Sequence, residues 1–352
     1  MCAALGCGGG GPAPAAPAEP AIDERTAEHD ARGLVLEIYR TLGRGKTDSL
    51  FSLLDDRLIV FGPRPTDATA SRADALGALG ALVDPRAKRH AQLRSTGLTV
   101  VVSPGGHSAW AFDVIGIDGH LVAVTAVLSN TSDLWSVTAL GLGALPASRQ
   151  LRAESSRDAV VPPGTTSSAK VAPGAETVVD EFKKRLAAQD SWLADLTSDS
   201  EAVLAGPAAG QVARGKQAIQ QLWKPRSKAA LRAATAGEIT ALVTPDGQLA
   251  WLTAPVTRVG DGEEPLPMRI FAVYTKAGTG WRMTVLHEAI AISEPGSGAA
   301  FKKIVPPEPV KPEPARAEPA KAEPIKPADK PGGATKSKAK KKKPRPAPGA
   351  DP

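Results

Sequence analysis

The chain has 352 residues and a formal net charge of +6, and only 4% of its residues are aromatic. No apolar run reaches the roughly 18 residues that a membrane-spanning helix needs, so no such helix is predicted. Both cysteines lie within the first seven residues, which excludes a disulfide framework and a cysteine-ligated zinc site in the body of the chain.

The first 22 residues form a leader rich in glycine and proline. Its run Ala4-Leu5-Gly6-Cys7 resembles the end of a bacterial lipoprotein signal, which implies that Cys7 is acylated. A complete signal also has a charged start and an apolar stretch of about 7–15 residues, whereas only six residues precede Cys7. We therefore expect either a lipid-anchored protein whose gene start was assigned too late, or a disordered leader on a cytoplasmic protein.

An internal repeat with a period near 140 residues follows the leader. Trp110 corresponds to Trp251 at an offset of 141 residues, and residues 135–138 correspond to residues 281–284 at an offset of 146. Small loop insertions produce such a drift in offset. The repeat predicts two tandem domains, over residues 23–147 and 174–295, joined by a linker over residues 148–173.

Each copy shows the same order of sequence periodicities. Apolar residues spaced three and four apart predict a first helix, over residues 26–42 in one copy and 176–188 in the other. A short helical stretch, a strand, a helix that starts near Arg72 or Gly215, and three or four strands come next. The last hairpin is clearest in the second copy, where residues 276–280 form a glycine-containing loop. This order predicts an α+β fold with about three helices in each domain.

Several residues of the second copy keep a characteristic order and spacing. Gly215-Lys216 starts a helix, and Trp251 lies on a later strand. Arg269 precedes Trp281 by twelve residues, and His287 follows it by six. This set resembles the SnoaL-like branch of the nuclear transport factor 2-like superfamily, and the first copy resembles it more weakly. The resemblance implies two cone-shaped domains, each a curved antiparallel sheet around a pocket, which pack through their sheets as an internal pseudo-dimer.

The second copy carries the candidate ligand-pocket residues. Enzymes of this superfamily place a carboxylate or histidine in the cone, beside a group that polarises a carbonyl. Strand alternation puts Trp281, Met283, Val285 and His287 on one largely apolar face, which predicts that His287 points inward. We predict that His287, Arg269 and Trp281 line the pocket. The alternative is a hydrogen-bonded core histidine with a surface arginine.

The first copy is predicted to be a degenerate, structural repeat. Gly141 stands where His287 stands in the second copy, and Ala123 stands where Arg269 stands. Asp113 is expected near a strand end or turn, and Tyr39 in the core with its hydroxyl at the rim. The five histidines of the chain have no ligand spacing, so neither a metal nor a cofactor is predicted.

The last segment, residues 296–352, holds the positive charge. From residue 301 onwards there are 14 Lys and Arg but six Asp and Glu, which leaves the first 300 residues at a net charge of −2. Prolines recur about every fifth residue and exclude a helix, so we predict a disordered, extended tail. The dense basic run over residues 338–345 can bind polyanions weakly.

These observations predict a non-enzymatic binding or interaction protein of the bacterial cell envelope. Its partner would be a small molecule or a protein, its tail would contact anionic envelope polymers, and it would meet the membrane only through a lipid anchor. Two alternatives stay open. One is an isomerase- or cyclase-type enzyme acting on a small molecule in the second domain, and the other is a cytoplasmic scaffold whose tail binds nucleic acid.

Overall fold

Two sheets, each backed by its own helices, make up the part of the chain that the computed structural model describes. This part comprises residues 22–61, 68–69, 72–80, 93–117, 120–151, 169–187, 191–196, 198–228, 232–235, 237–259 and 265–290. The predicted leader with Cys7, most of the linker and the basic tail lie outside the described residues. Within these ranges, no helix is both long enough and apolar enough to cross a membrane.

The first half of the protein begins with helix α1 (Glu24–Gly43). The side chain of Asp23 accepts a hydrogen bond from the backbone N–H of Thr26, at 2.9 Å, and so caps the start of this helix. A 3₁₀ helix (Thr47–Leu53) follows. The remaining elements are β1 (Leu54–Phe61), β2 (Ala68–Thr69), α2 (Arg72–Gly80), β3 (Leu93–Ser95), β4 (Thr99–Val102), β5 (Ser108–Ile117), β6 (His120–Thr131) and β7 (Leu134–Ala144).

The second half repeats this order after a short 3₁₀ helix (Ser148–Gln150). Its elements are β8 (Ala169–Val171), α3 (Glu176–Ala187), α4 (Ser191–Leu196), β9 (Val203–Ala205), β10 (Val212–Arg214), α5 (Gly215–Lys228), β11 (Arg232–Thr235), β12 (Ile239–Val243), β13 (Leu249–Val259), β14 (Leu266–Ala277) and β15 (Gly280–Ile290). The predicted α+β fold is therefore confirmed. The exact domain boundaries stay a prediction.

The two sheets have matching strand orders. The first sheet runs β2-β1-β7-β6-β5-β3, and β4 also pairs with β5. The second runs β10-β9-β15-β14-β13-β12-β8, and β11 also pairs with β13. In both sheets the last strand lies parallel to an early strand, β7 to β1 and β15 to β9. Among the described strands, the sheets differ at one edge, because β8 extends the second sheet beyond β12.

Both final hairpins contain a β-bulge at the same place. The pairing slips by one residue after Val127 in the first sheet and after Val273 in the second. The extra residues are Thr138 and Thr284, whose hydroxyls donate to the carbonyls of Val127 (3.1 Å) and Val273 (3.4 Å). Because side chains alternate along a strand, each bulge moves the following residues to the opposite face.

Three apolar clusters hold the described part together. One lies between the first sheet and α1, whose buried residues include Leu34, Ile38 and Leu42. A second lies between the other sheet and α3, which contributes Val178 and Phe182. The third, here named the shared layer, joins the free faces of the two sheets. Its buried members are Phe61, Trp110, Phe112, Ala123, Val127, Ala139, Leu145, Val203, Ala205, Leu249, Trp251, Phe271, Val273 and Val285.

Candidate functional site

The shared layer brings large aromatic side chains of both halves together. The ring centroid of Phe61 lies 5.8 Å from that of Trp251 and 5.3 Å from that of Phe271. Trp251 and Phe271 stack at 5.9 Å. Aromatic pairs at these separations attract one another beyond the effect of their buried area. The layer therefore fixes the two sheets against each other.

His287 lies in this layer rather than among the helices of the second half. The bulge at Thr284 separates it from Trp281 and Met283, which pack on the helix side of the sheet, while Val285 lies in the shared layer. The expectation that strand alternation places all four residues on one face is therefore wrong. Sequence periodicity assumes an unbroken alternation, and one extra residue reverses it.

The surroundings of His287 come largely from the other half. Its Nδ1 lies 2.9 Å from the hydroxyl oxygen of Thr125, and the ring tautomer decides which of the two donates. The ring of Phe112 meets the imidazole edge-on, with centroids 6.2 Å apart. Nε2 has no hydrogen-bond partner among the described residues. Burial lowers the pKa of His287 to about 4, although the nearby carboxylate of Glu288 acts in the opposite direction.

Arg269 shares the face of His287, and Trp281 does not. Arg269 is 5% exposed, and its guanidinium carbon lies 5.3 Å from the centroid of Phe61. It is thus buried, rather than the surface arginine of the alternative interpretation. Trp281 is half-buried against the helix-side core, and the Lys276 ammonium lies 4.5 Å from its ring centroid. The structure therefore separates the three predicted pocket residues, and their role in ligand binding stays a prediction.

A different polar group occupies the helix side of the second half. Arg185 on α3 lies 3.0 Å from the carboxylate of Asp195 on α4 and 3.5 Å from that of Glu181. Burial raises the pKa of Asp195, and the charge of Arg185 opposes that rise. The buried hydroxyl of Tyr274 lies near this group, and its pKa is raised chiefly by burial. Asp195 lies in the last turn of α4, and no motif of the sequence singles it out.

A second carboxylate lies inside the first half. Asp113 is fully buried in the middle of β5, where one oxygen accepts from the backbone N–H of Val114 (2.8 Å) and of Gly97 (3.2 Å). Burial raises its pKa. The phenol of Tyr39 approaches this carboxylate, and burial followed by the negative charge raises the pKa of Tyr39 well above its usual value. The expectation that Asp113 lies near a strand end or turn is wrong.

An open cleft lies beside the first sheet. It has a volume of about 540 Å³ and follows residues 98–102 along strand β4. Its charged lining residues are Glu24, Arg25, Glu28, Arg32 and Glu201. Within the described ranges, no group of three or more His, Cys, Asp or Glu side chains is arranged to hold a metal ion.

Comparison with known proteins finds one family match, in the second half. Residues 175–293 match the family model of the SnoaL-like domain. A nuclear transport factor 2-like protein of unknown function from Shewanella baltica is 12% identical, over 36% of this chain and 99% of its own, with a TM-score of 0.29. A provisionally named dehydratase of the same superfamily from Streptomyces avermitilis is 18% identical, over 36% of this chain and 100% of its own, with a TM-score of 0.29. The search of curated proteins found no match.

Proposed function

We propose that the protein is a non-enzymatic binding or interaction protein of the bacterial cell envelope, built from two tandem SnoaL-like domains. The observation that carries this proposal is the shared layer. It packs residues from one face of each sheet against the other sheet, and His287 and Arg269 are buried in it. The outer surface of the two packed halves and the open cleft beside β4 are then available to a partner.

Three matched features support a tandem origin of the halves. Their strand orders agree, both final hairpins carry a threonine bulge, and the two bulges lie 146 residues apart. The drift in sequence offset has the same explanation, since loops change length more freely than paired strands do. A duplicated domain that pairs with its own copy needs no second chain to cover its sheet.

The envelope location rests on the leader and the tail. Ala4-Leu5-Gly6-Cys7 supplies the small residues and the cysteine of an acylation site. Acyl chains on Cys7 would anchor the leader in a membrane, and a polybasic segment adds electrostatic attraction to anionic lipid. The excess of lysine after residue 301 is suited to that role, on anionic lipid or on anionic envelope polymer.

Metabolic labelling tests this location directly. Cells that express the protein from its own locus are fed an alkyne fatty acid, and the purified protein is assayed for label. We expect label on the natural protein and on Cys2→Ser, and none on Cys7→Ser. Unlabelled protein recovered in the cytoplasmic fraction would overturn the envelope proposal and favour the cytoplasmic alternative.

The polar group of the second half supports one alternative, an isomerase- or cyclase-type enzyme. Asp195 is a half-buried carboxylate with a raised pKa, close to a buried tyrosine hydroxyl, and such a pair can remove a proton next to a carbonyl. Exchange of α-protons of small carbonyl compounds in D₂O, followed by NMR, tests this chemistry. Exchange that Asp195→Asn abolishes, and that the exposed control Asp180→Asn keeps, would favour the enzyme over the binding protein.

A further inference from the structure

The outer edge of strand β12 in the second half is covered by β8. The two strands run parallel, with Ile239 opposite Ala169 and Ala241 opposite Val171. The N–H of Ala172 then donates to the carbonyl of Ala241, at 3.0 Å. Since the N–H and C=O of one strand residue point to the same side, the backbone of Ala241 faces outward, towards β8.

Strand β4 occupies the same position in the first half. Val100 lies opposite Ala111 of β5, just as Ala241 lies opposite Leu252 of β13. Val100 therefore corresponds to Ala241, and by strand alternation its N–H and C=O face outward, as do those of Val102. Arg32 confirms this direction at one position, because its Nη1 donates to the carbonyl of Leu98, at 3.0 Å. In the described part of the chain, β4 pairs with β5 alone.

The chain enters the first half by a different route. In the second half, four residues separate the end of strand β8 from the start of α3. In the first half, Ile22 comes just before α1, and its N–H donates to the carbonyl of Gly105, at 3.0 Å, in the turn between β4 and β5. Residues 22 and 23 thus lead into α1 from that turn and not along the outer edge of β4.

The cleft beside β4 follows the strand and has a charged lining. Residues 98–102 line it, and five strand residues extend about 16 Å. Among its charged residues, Arg32 is already paired with Glu28, at 3.1 Å. Glu24 and Glu201 together then outweigh Arg25, so the cleft favours a positively charged side chain.

We propose that the outer edge of β4 binds an extended, lysine-bearing segment of a partner protein as an additional parallel strand. This inference rests on the proposed binding function and names the kind of partner. The segment resembles β8 in character, with a lysine between small or β-branched residues and no proline at the paired positions. Main-chain hydrogen bonds to Val100 and Val102 supply the affinity, and Glu24 and Glu201 favour the lysine.

A labelled peptide of residues 166–172 tests this site on the full-length protein, with fluorescence anisotropy as the readout. In the parallel register the N–H of Ala172 points to the edge, and that of Val171 points away from it. N-methylation at Ala172 is expected to weaken binding at least tenfold, and N-methylation at Val171 less than twofold. Equal effects of the two methyl groups, or no binding of the unmodified peptide, would overturn the proposal.

Hydrogen exchange locates the bound peptide. We expect the amides of Val100 and Val102 to exchange at least tenfold more slowly with peptide present, and those of residues 239–243 to be unchanged. Protection of residues 239–243 instead would mean that the peptide displaces β8, and would refute the site on β4. Glu24→Gln is expected to weaken binding about two- to fivefold, while Asp30→Asn on the same helix has no effect. The labelling of Cys7 does not depend on these results, so the two proposals fail separately.

Discussion

Replacing Gly143 with alanine probes how closely the two sheets approach. A Cβ atom at this position on β7 would lie 2.6 Å from Nε2 of His287 and 2.9 Å from the Cβ of Ala289. Both distances are far below van der Waals contact. Neither neighbour can yield easily, because His287 is held by Thr125 and the Cβ of Ala289 moves only with its backbone. We expect Gly143→Ala to destabilise the protein by roughly 1–3 kcal/mol, as overpacking of a core does.

Urea unfolding followed by tryptophan fluorescence measures this cost, and thermal unfolding gives a second estimate. Each kcal/mol corresponds to a fall of about 2–4 °C in melting temperature for a folded unit of this size. Gly33→Ala is the matched control. Gly33 lies inside α1, and a Cβ atom there would meet nothing within 4 Å. That replacement is expected to stabilise the protein by roughly 0.5–1 kcal/mol.

A double-mutant cycle separates the clash from other effects. In the His287→Ala background the imidazole is absent, so Gly143→Ala should cost at least about 1 kcal/mol less than in the natural protein. If Gly143→Ala is neutral, or stabilises the protein as Gly33→Ala does, β7 and His287 do not lie in close contact.

Three further predictions concern the shared layer and its margin. His287 has a pKa of about 4 in the folded protein, against an ordinary 6.5, so the unfolded chain takes up the proton first as the pH falls. The free energy of unfolding therefore keeps its full value above about pH 6.5 and falls by roughly 3 kcal/mol towards pH 4. Urea titrations of His287→Gln should lack this slope. Asp246 accepts hydrogen bonds from two serine hydroxyls of the first half, at 2.6 and 3.1 Å, so Asp246→Asn should cost roughly 1–3 kcal/mol in the same assay. Phe271→Ala should leave a cavity and cost about 3–5 kcal/mol, whereas Leu134→Ala, at a side chain that is 74% exposed, should cost less than about 0.5 kcal/mol.

The helices of the fold could be predicted because burial on a helix follows a regular spacing. Leu34, Ile38 and Leu42 lie one turn apart, and all three are buried against the first sheet. The final hairpin could be predicted for a similar reason. Its turn needs a residue that tolerates positive φ, and Gly278 adopts a φ of 59° there.

The face of each strand could not be predicted in the same way. The strands of a sheet with one solvent-exposed face alternate between apolar and polar residues. In this protein one face of each sheet packs against helices and the other packs against the other sheet. Both faces are therefore apolar, and the pattern around Thr284 gives no sign of a bulge. The misplacement of His287 follows from these two facts together.

Asp113 was misplaced because two of its neighbours, Gly97 and Tyr39, are distant in sequence. It lies between Ala111 and Ile115 on the helix side of β5, and its carboxylate is held by the N–H of Gly97, in the break between β3 and β4. A lone carboxylate inside an apolar strand was the available signal. Its meaning depends on that break, which strand periodicity does not reveal.

The shared layer also gives a physical reason why the two halves differ at matching positions. In the first half, Gly141 pairs with Thr125, and in the second His287 pairs with Phe271. Across the layer, Phe271 lies against Gly141, and the Cγ of Phe271 is only 3.0 Å from where a Cβ atom on Gly141 would be. His287 lies against Thr125.

Small residues of one half thus accept the large residues of the other. Two copies of the second half's face would set Phe271 against His287, and two copies of the first half's face would leave a void. Both pairings of identical faces are therefore disfavoured relative to the pairing of the two different faces. Glycine at position 141 therefore suits the packing of the shared layer, because a histidine there would collide with Phe271.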